Sequence, residues 1–451
     1  MTMQDSFKQL NSPNRDERFS ALNTLAAGSA LTSAPKPWVN MHMHTFFSFN
    51  GEGHSPTRLA WEAKQNGLHA AAICDFDVLD GLDEFLHASN RLELRAAVGF
   101  ESRTFFREFA SQEINSPGEP GVFYFMGMGF VNQPTTDSSA GCLFGEMLAQ
   151  SHKRNRNLIG RINRQLEEFE LDYDNDVLPL TPNGNATERH IVRAYHEKTL
   201  CEFDSDSDTA AAFWAAKLGL DLVSTTKDIL NTNAFMDLLR SKLIKQGGIG
   251  YVQPTKATFP ALDKVIGMIL ECGAIPMSAW LDGTTQGESD PQAQLECLVS
   301  KGVAAVNIIP DRNWNISDAT TRARKITELD KYVATASAMD LPINVGTELN
   351  KPGQRFVDDF DAAPMKPHLP LFLTGADIMV GHTRLLRYAD VSYTGASALA
   401  DYPKRKKRNA FFAAVGSLPC PPAKIRETLE EVTADKAYAL LQDAARAGTW
   451  G

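Results

Sequence analysis

The sequence predicts an α/β barrel, and three observations predict it. Short β-rich runs recur along the chain, amphipathic helical patterns separate them, and several runs are apolar throughout. The clearest runs are Trp38–His44, Ala70–Phe76, Ala96–Glu101, Val122–Gly129, Ile249–Gln253, Ala274–Trp280, Val303–Pro310, Ile343–Glu348 and Asp377–His382. A continuous apolar run such as Val303–Ile309 suits a strand buried on both faces, as in parallel sheets. The helices between have readable ends: Ser55-Pro56 supplies an N-cap and a first-turn proline, and Gly67 follows the last helical residue. Strand–helix alternation implies βαβ units, and this many of them favour a closed barrel over an open sheet.

Two segments break the alternation. Residues 1–37 read as a helical N-terminal extension, in which the Ala-rich stretch from Ala21 to Ala34 is helix rather than a leader. Residues 138–246 are polar, mostly helical and without convincing strands, as expected of an insertion in one barrel loop that packs as a cap. The barrel then occupies 38–137 and 247–395, and residues 396–451 read as closing helices.

Composition narrows the function classes. The 451 residues are 43% hydrophobic and 22% charged, ordinary for a soluble globular protein, and carry a formal charge of −10. That field repels nucleic acid and anionic membranes, and the basic run Lys404–Arg408 reads as a solvated helix face. No apolar run is long enough for a membrane helix. None of the six cysteines forms a C-x-x-C pair, so the chain reads as reduced and cytoplasmic.

His42-Met43-His44-Thr45 is the most specific local signal. Residues two apart in a strand share a face, so both imidazoles point one way, at the C-terminal rim where barrel sites assemble. Glu101 and Glu348 end the apolar runs Ala-Ala-Val-Gly-Phe-Glu and Pro-Ile-Asn-Val-Gly-Thr-Glu, and Asp75 occupies the same kind of position. Carboxylates there need a cation or hydrogen bonds to offset desolvation. Two imidazoles and two or three carboxylates on converging strand ends make a divalent-metal set. Asp204, Asp206 and Asp208 mimic a calcium loop, but Thr209 and Ala215 stand where glycine and glutamate are needed.

His-Met-His-Thr-Phe-Phe-Ser, Ile-Cys-Asp-Phe-Asp-Val-Leu-Asp-Gly, Gly-Phe-Glu and Val-Gly-Thr-Glu-Leu-Asn resemble successive motifs of the PHP (polymerase and histidinol phosphatase) family. The resemblance implies a distorted (βα)7 barrel and, in many members, metal-dependent phosphoesterase activity with up to three rim metals. Carried over residue by residue, it implies that His42, His44, Glu101 and Glu348 hold one metal, with Glu348 in place of the usual aspartate. Tyr124 and Trp280 stand where a second metal's histidines are expected, and Phe49, Phe76 and Asn350 where the ligands of a third are expected. One divalent ion (Zn, Mn or Fe) is therefore expected, with aromatics filling the vacated space.

His190, in Thr-Glu-Arg-His-Ile-Val-Arg-Ala, resembles a helix-borne histidine of phosphatase-like members. It and Asp75 are the candidates to move a proton. Arg103, Arg312 and His382 follow strand-like runs and are candidates to bind an anionic small-molecule substrate. The leading expectation is a hydrolase of a small phosphorylated metabolite. The alternatives are a barrel that binds a metabolite or protein without turnover, or one that cleaves a C–N or C–O bond.

Overall fold

The computed structural model describes residues 3–28 and 34–450. Seven strands form one sheet in chain order: β1 (Val39–Met43), β2 (Ala70–Phe76), β3 (Ala96–Phe105), β4 (Val122–Met128), β5 (Ile275–Trp280), β6 (Ala305–Ile308) and β7 (Ile343–Val345). The two edges meet at the rim. His44 N–H donates to Glu348 O at 2.7 Å and Glu348 N–H to His42 O at 2.8 Å, closing the sheet into a barrel. At Gly346 a Cβ would lie 2.4 Å from His42 N, so this closure needs a residue without a side chain.

All neighbouring pairs are parallel except those of β4, which runs antiparallel to both β3 and β5. Uniform βαβ alternation does not anticipate this. The physical reason lies in the β3–β4 connection, which holds only a short 3-10 turn at Arg107–Phe109 and no crossover helix. Without a helix to carry the chain back, the second strand returns beside the first.

This reversal positions the helical segment above the rim. The chain leaves β4 at the bottom of the barrel and climbs in the helix Ser139–Leu166, capped by Ser138. It crosses the rim through the helices Glu188–Glu202, Ser207–Leu218, Leu222–Ile229 and Thr232–Leu239. The helix Leu262–Glu271 then descends to β5. These rim helices carry their own core around Ile162, Leu166, Tyr195, Trp214 and Phe235. The aspartates at 204–208 serve that segment: Asp206 caps the helix Ser207–Leu218.

At the N-terminus, the helices Met3–Gln9 and Arg15–Gly28 pack on the barrel through a buried Arg18–Glu84 ion pair. Glu84 also accepts from the Thr57 hydroxyl at 2.7 Å, so the buried charge is fully partnered. The second of these helices covers much of the Ala-rich stretch; residues 29–33 lie outside the described residues.

Two expected strands are absent. Residues 249–253 are turn and coil, and residues 377–382 lie inside the helix Leu369–Ala389. That helix plugs the N-terminal mouth of the barrel and is buried on nearly every side. A helix apolar all round loses its 3.6-residue signature, so a short window of it cannot be told from a buried strand. It crosses the helix Arg405–Ser417 at a glycine contact, where a Cβ on Gly381 would lie 1.9 Å from Phe412 O. The run Arg405–Arg408 opens that second helix, and Arg408 is buried. Among the described residues, no helix is long and apolar enough to cross a membrane.

Candidate metal centre

β1 delivers His42 to the barrel interior and the turn after it delivers His44, while β3 brings Glu101 beside them. One ligand atom from each of the three lies within 4.8 Å of the others. Glu101 Oε2 is 3.2 Å from His44 Nε2 and 3.5 Å from His42 Nε2. Neither approach has hydrogen-bond geometry, so both buried Nε2 atoms are left without a hydrogen-bond partner. Two orphaned imidazole nitrogens converging on a carboxylate are what a divalent cation would satisfy, and these residues fit one. Burial alone would raise the Glu101 carboxyl, but the charges of His42 and His44 outweigh it and hold it well below its ordinary range. Burial would lower the His44 imidazole, but contact with Glu101 and the charges of Glu348 and Asp75 raise it.

The far nitrogens are held from behind. His44 Nδ1 lies 3.0 Å from Ser48 Oγ, whose hydroxyl donates to Asp75 Oδ1 at 2.7 Å. Ser48 therefore accepts Nδ1–H and leaves the Nε2 lone pair for a metal. His42 Nδ1 lies 3.1 Å from the Asn307 amide nitrogen. Asn344, anchored on Met41 O at 3.0 Å, donates to Asn307 Oδ1 at 2.9 Å and turns that carbonyl away from the ring. Ligation through His42 Nε2 requires the Asn307 amide to turn over, so His44 is preset for a metal and His42 is not.

Glu348 lies in the same pocket wall but outside the close group. Its Oε2 accepts from Arg312 Nη2 at 2.5 Å and from Asn350 Nδ2 at 2.9 Å. Backbone strain gathers here: of ten described non-glycine residues with positive φ, Phe49, Asp77, Glu348 and Leu349 are at this rim.

The three residues open into a cavity of about 740 Å³ that Arg103, Arg312, Phe49, Phe76, Tyr124, Trp280 and Asn350 also line. The structure does not bring Asp75, His190 or His382 to it. Asp75 is buried beneath the rim, accepting from Thr45 N–H at 2.7 Å, the Thr45 hydroxyl at 2.8 Å and Ser48. His190 is turned back into its own helix, its Nδ1 accepting from Thr187 N–H at 3.1 Å, with Phe49 edge-on at 5.2 Å. His382, expected after a strand, sits in the plug helix at the opposite end of the barrel, against Gly129, and accepts from Tyr393 N–H.

Asp77, like Glu119 and Glu188, is a cavity carboxyl that sequence reasoning passed over. It lies two residues past Asp75, but its φ of 64° breaks the strand alternation and re-aims its side chain. Ser102 Oγ donates to it at 2.5 Å, and burial raises its carboxyl despite Arg154, Ser102 and Arg103. The Asp-Phe-Asp-Val spacing was the available signal, since either acid could have faced the rim.

Fold and site together define a closed α/β barrel with a candidate metal site at the C-terminal ends of its strands. Residues 40–236 match the family model for the PHP domain. Four chains of solved structures align with this one. One is a Bifidobacterium adolescentis protein described as a candidate metal-dependent phosphoesterase, 19% identical, covering 75% of this chain and 98% of that one with a TM-score of 0.47. Another is an amidohydrolase of Chromobacterium violaceum with bound sulfate and no metal, 15% identical, covering 74% and 95% with a TM-score of 0.47. No curated protein matches the chain.

Proposed function

We propose that the protein is a metal-dependent hydrolase acting on a small phosphoester, with one divalent cation held by His42, His44 and Glu101. The observation that carries this reading is the convergence of two orphaned Nε2 atoms on the Glu101 carboxylate at the floor of a large cavity, in a chain that matches the PHP-domain model. Mixed nitrogen and oxygen donors suit Zn, Mn or Fe. When bound, such an ion supplies Lewis acidity towards a phosphoryl oxygen and makes a nearby water more acidic.

The chain's own residues do the rest. Asp77, with one oxygen tied to Ser102 and burial favouring its protonated form, is placed to hold or release a proton at its other oxygen. Arg103 and Arg312 orient the anionic group, and Arg312 is kept in place by Glu348. Phe49, Phe76, Tyr124 and Trp280 exclude water and offer an apolar wall to the rest of the substrate. Six unpaired cysteines suit a reducing compartment, so the cytoplasm is the proposed location.

A second reading is favoured by the withdrawal of Asp75 and His190 from the cavity: a barrel that binds its ligand without turning it over, or cleaves a C–N or C–O bond instead. A panel of phosphomonoesters and phosphodiesters, assayed with added Zn, Mn or Fe and again with chelator, separates the two. The hydrolase reading expects chelator-sensitive turnover that Asp77→Asn lowers by about 100-fold, the scale of a general acid or base. Metal-replete protein inert on the whole panel would contradict it.

A further inference from the structure

The cavity reaches well past the two histidines, and the helix Ser139–Leu166 builds its far wall. Ser151, Arg154, Leu158 and Arg161 line it, at the three- and four-residue spacing that puts them on one helix face. Seven arginines and lysines line the cavity against five aspartates and glutamates, an excess of two positive charges in a chain of net charge −10. Five of the seven have a carboxylate within 4.0 Å. Among the described residues, Arg154 and Arg161 have none within that distance. Each instead uses one N–H on a backbone carbonyl, Arg154 on Thr258 O at 3.1 Å and Arg161 on Gly250 O at 2.7 Å. Their remaining donors are not engaged by a carboxylate.

Arg154 does not stand alone. Its guanidinium lies 4.8 Å from the centre of the Phe259 ring, and that of Arg103 lies 4.3 Å from the same ring. Burial lowers the Arg154 guanidinium to about 10; Asp77 works against this and Arg103 with it, so the group stays charged at neutral pH. Two partly desolvated guanidiniums sharing one ring, of which Arg103 has Glu119 within 4.0 Å and Arg154 has no carboxylate among the described residues, are costly unless an anion joins them. Arg103 stands two residues beyond Glu101 in β3, roughly 7 Å along the strand.

We propose that Arg154 and Arg161, with Arg103 across the Phe259 ring, form a second anion site for a phosphate or carboxylate group that the substrate keeps. The substrate is then bifunctional: its reacting end lies at His42, His44 and Glu101, and its second acidic group lies on the order of 10 Å away, by strand geometry. The position of the reacting end rests on the hydrolase reading; the anion site does not.

Calorimetric titration of inorganic phosphate into the full chain tests the site, with protein as purified and again after chelator treatment. Binding that survives the chelator is expected, weakening as salt rises. Arg154→Met and Arg161→Met are each expected to weaken that binding at least tenfold. Arg154→Lys, which keeps the charge, is expected to retain more of it than Arg154→Met at an unchanged melting temperature, separating a lost anion contact from a lost fold. Repeating the titration with succinate tells the sources apart: heat that disappears in Arg154→Met means the site takes carboxylates too, and silence means it selects phosphate. Chelator-treated wild type that binds neither anion, or phosphate binding unchanged in both methionine variants, overturns the proposal. If the phosphoester panel fails while this titration succeeds, the anion site stands without the hydrolase.

Discussion

The Asp75 carboxylate and the His44 ring are joined through one hydroxyl: Ser48 donates to Asp75 at 2.7 Å and lies 3.0 Å from His44 Nδ1. Asp75 is therefore a positioning residue, and its influence on the ring passes through Ser48. Ser48→Ala is predicted to leave the fold intact and to weaken metal binding about 10- to 100-fold, the usual effect of losing an outer-shell partner. Competition against a chromogenic chelator measures this. Ser48→Thr should recover part of the loss, and unchanged affinity in Ser48→Ala would show that the bridge does not orient His44.

Asn307 offers the converse test, because its amide nitrogen faces His42 Nδ1 at 3.1 Å. Asn307→Asp replaces that donor with a carboxylate that accepts Nδ1–H and frees Nε2. Metal affinity should rise, by about tenfold if the outer-shell scale applies. Weaker binding in the variant would mean that His42 does not ligate through Nε2.

The pair His42 and His44 was legible in the sequence because a strand repeats its faces every two residues, and Glu101 because it is an acid ending an apolar run. Seven of the nine expected strand runs correspond to β1–β7 for the same reason. Partners that depend on tertiary closure were not legible. Asn307 meets His42 across 265 residues, and Asp75 meets Ser48 across 27. Asp77 enters the cavity through a left-handed backbone turn, and the Asp-Phe-Asp spacing alone did not say which of the two acids would face it. His382 was drawn to the rim by reading a largely buried stretch of helix as a strand.

His190 should leave a mark on acid stability. Burial, with Arg193 nearby, lowers its imidazole from 6.5 to about 3. Between those values the unfolded chain binds the proton and the folded chain does not, so stability falls as pH drops through 6.5 and keeps falling to about 3. At about pH 5 the loss from this one group is about 2 kcal/mol. His190→Gln keeps an acceptor at the third helical position but cannot take up a proton. Its melting temperature should drop less than that of wild type between pH 7 and pH 5, and parallel curves would contradict the assignment.

The most direct test of the central claim is the metal content of the full chain purified without chelator, measured beside His44→Ala at equal melting temperature. A site of two imidazoles and one carboxylate predicts about one equivalent of a divalent metal in the wild type. His44→Ala should hold almost none. No metal in wild type even after reconstitution, two or more firmly held equivalents, or full occupancy in His44→Ala would contradict a single centre at His42, His44 and Glu101.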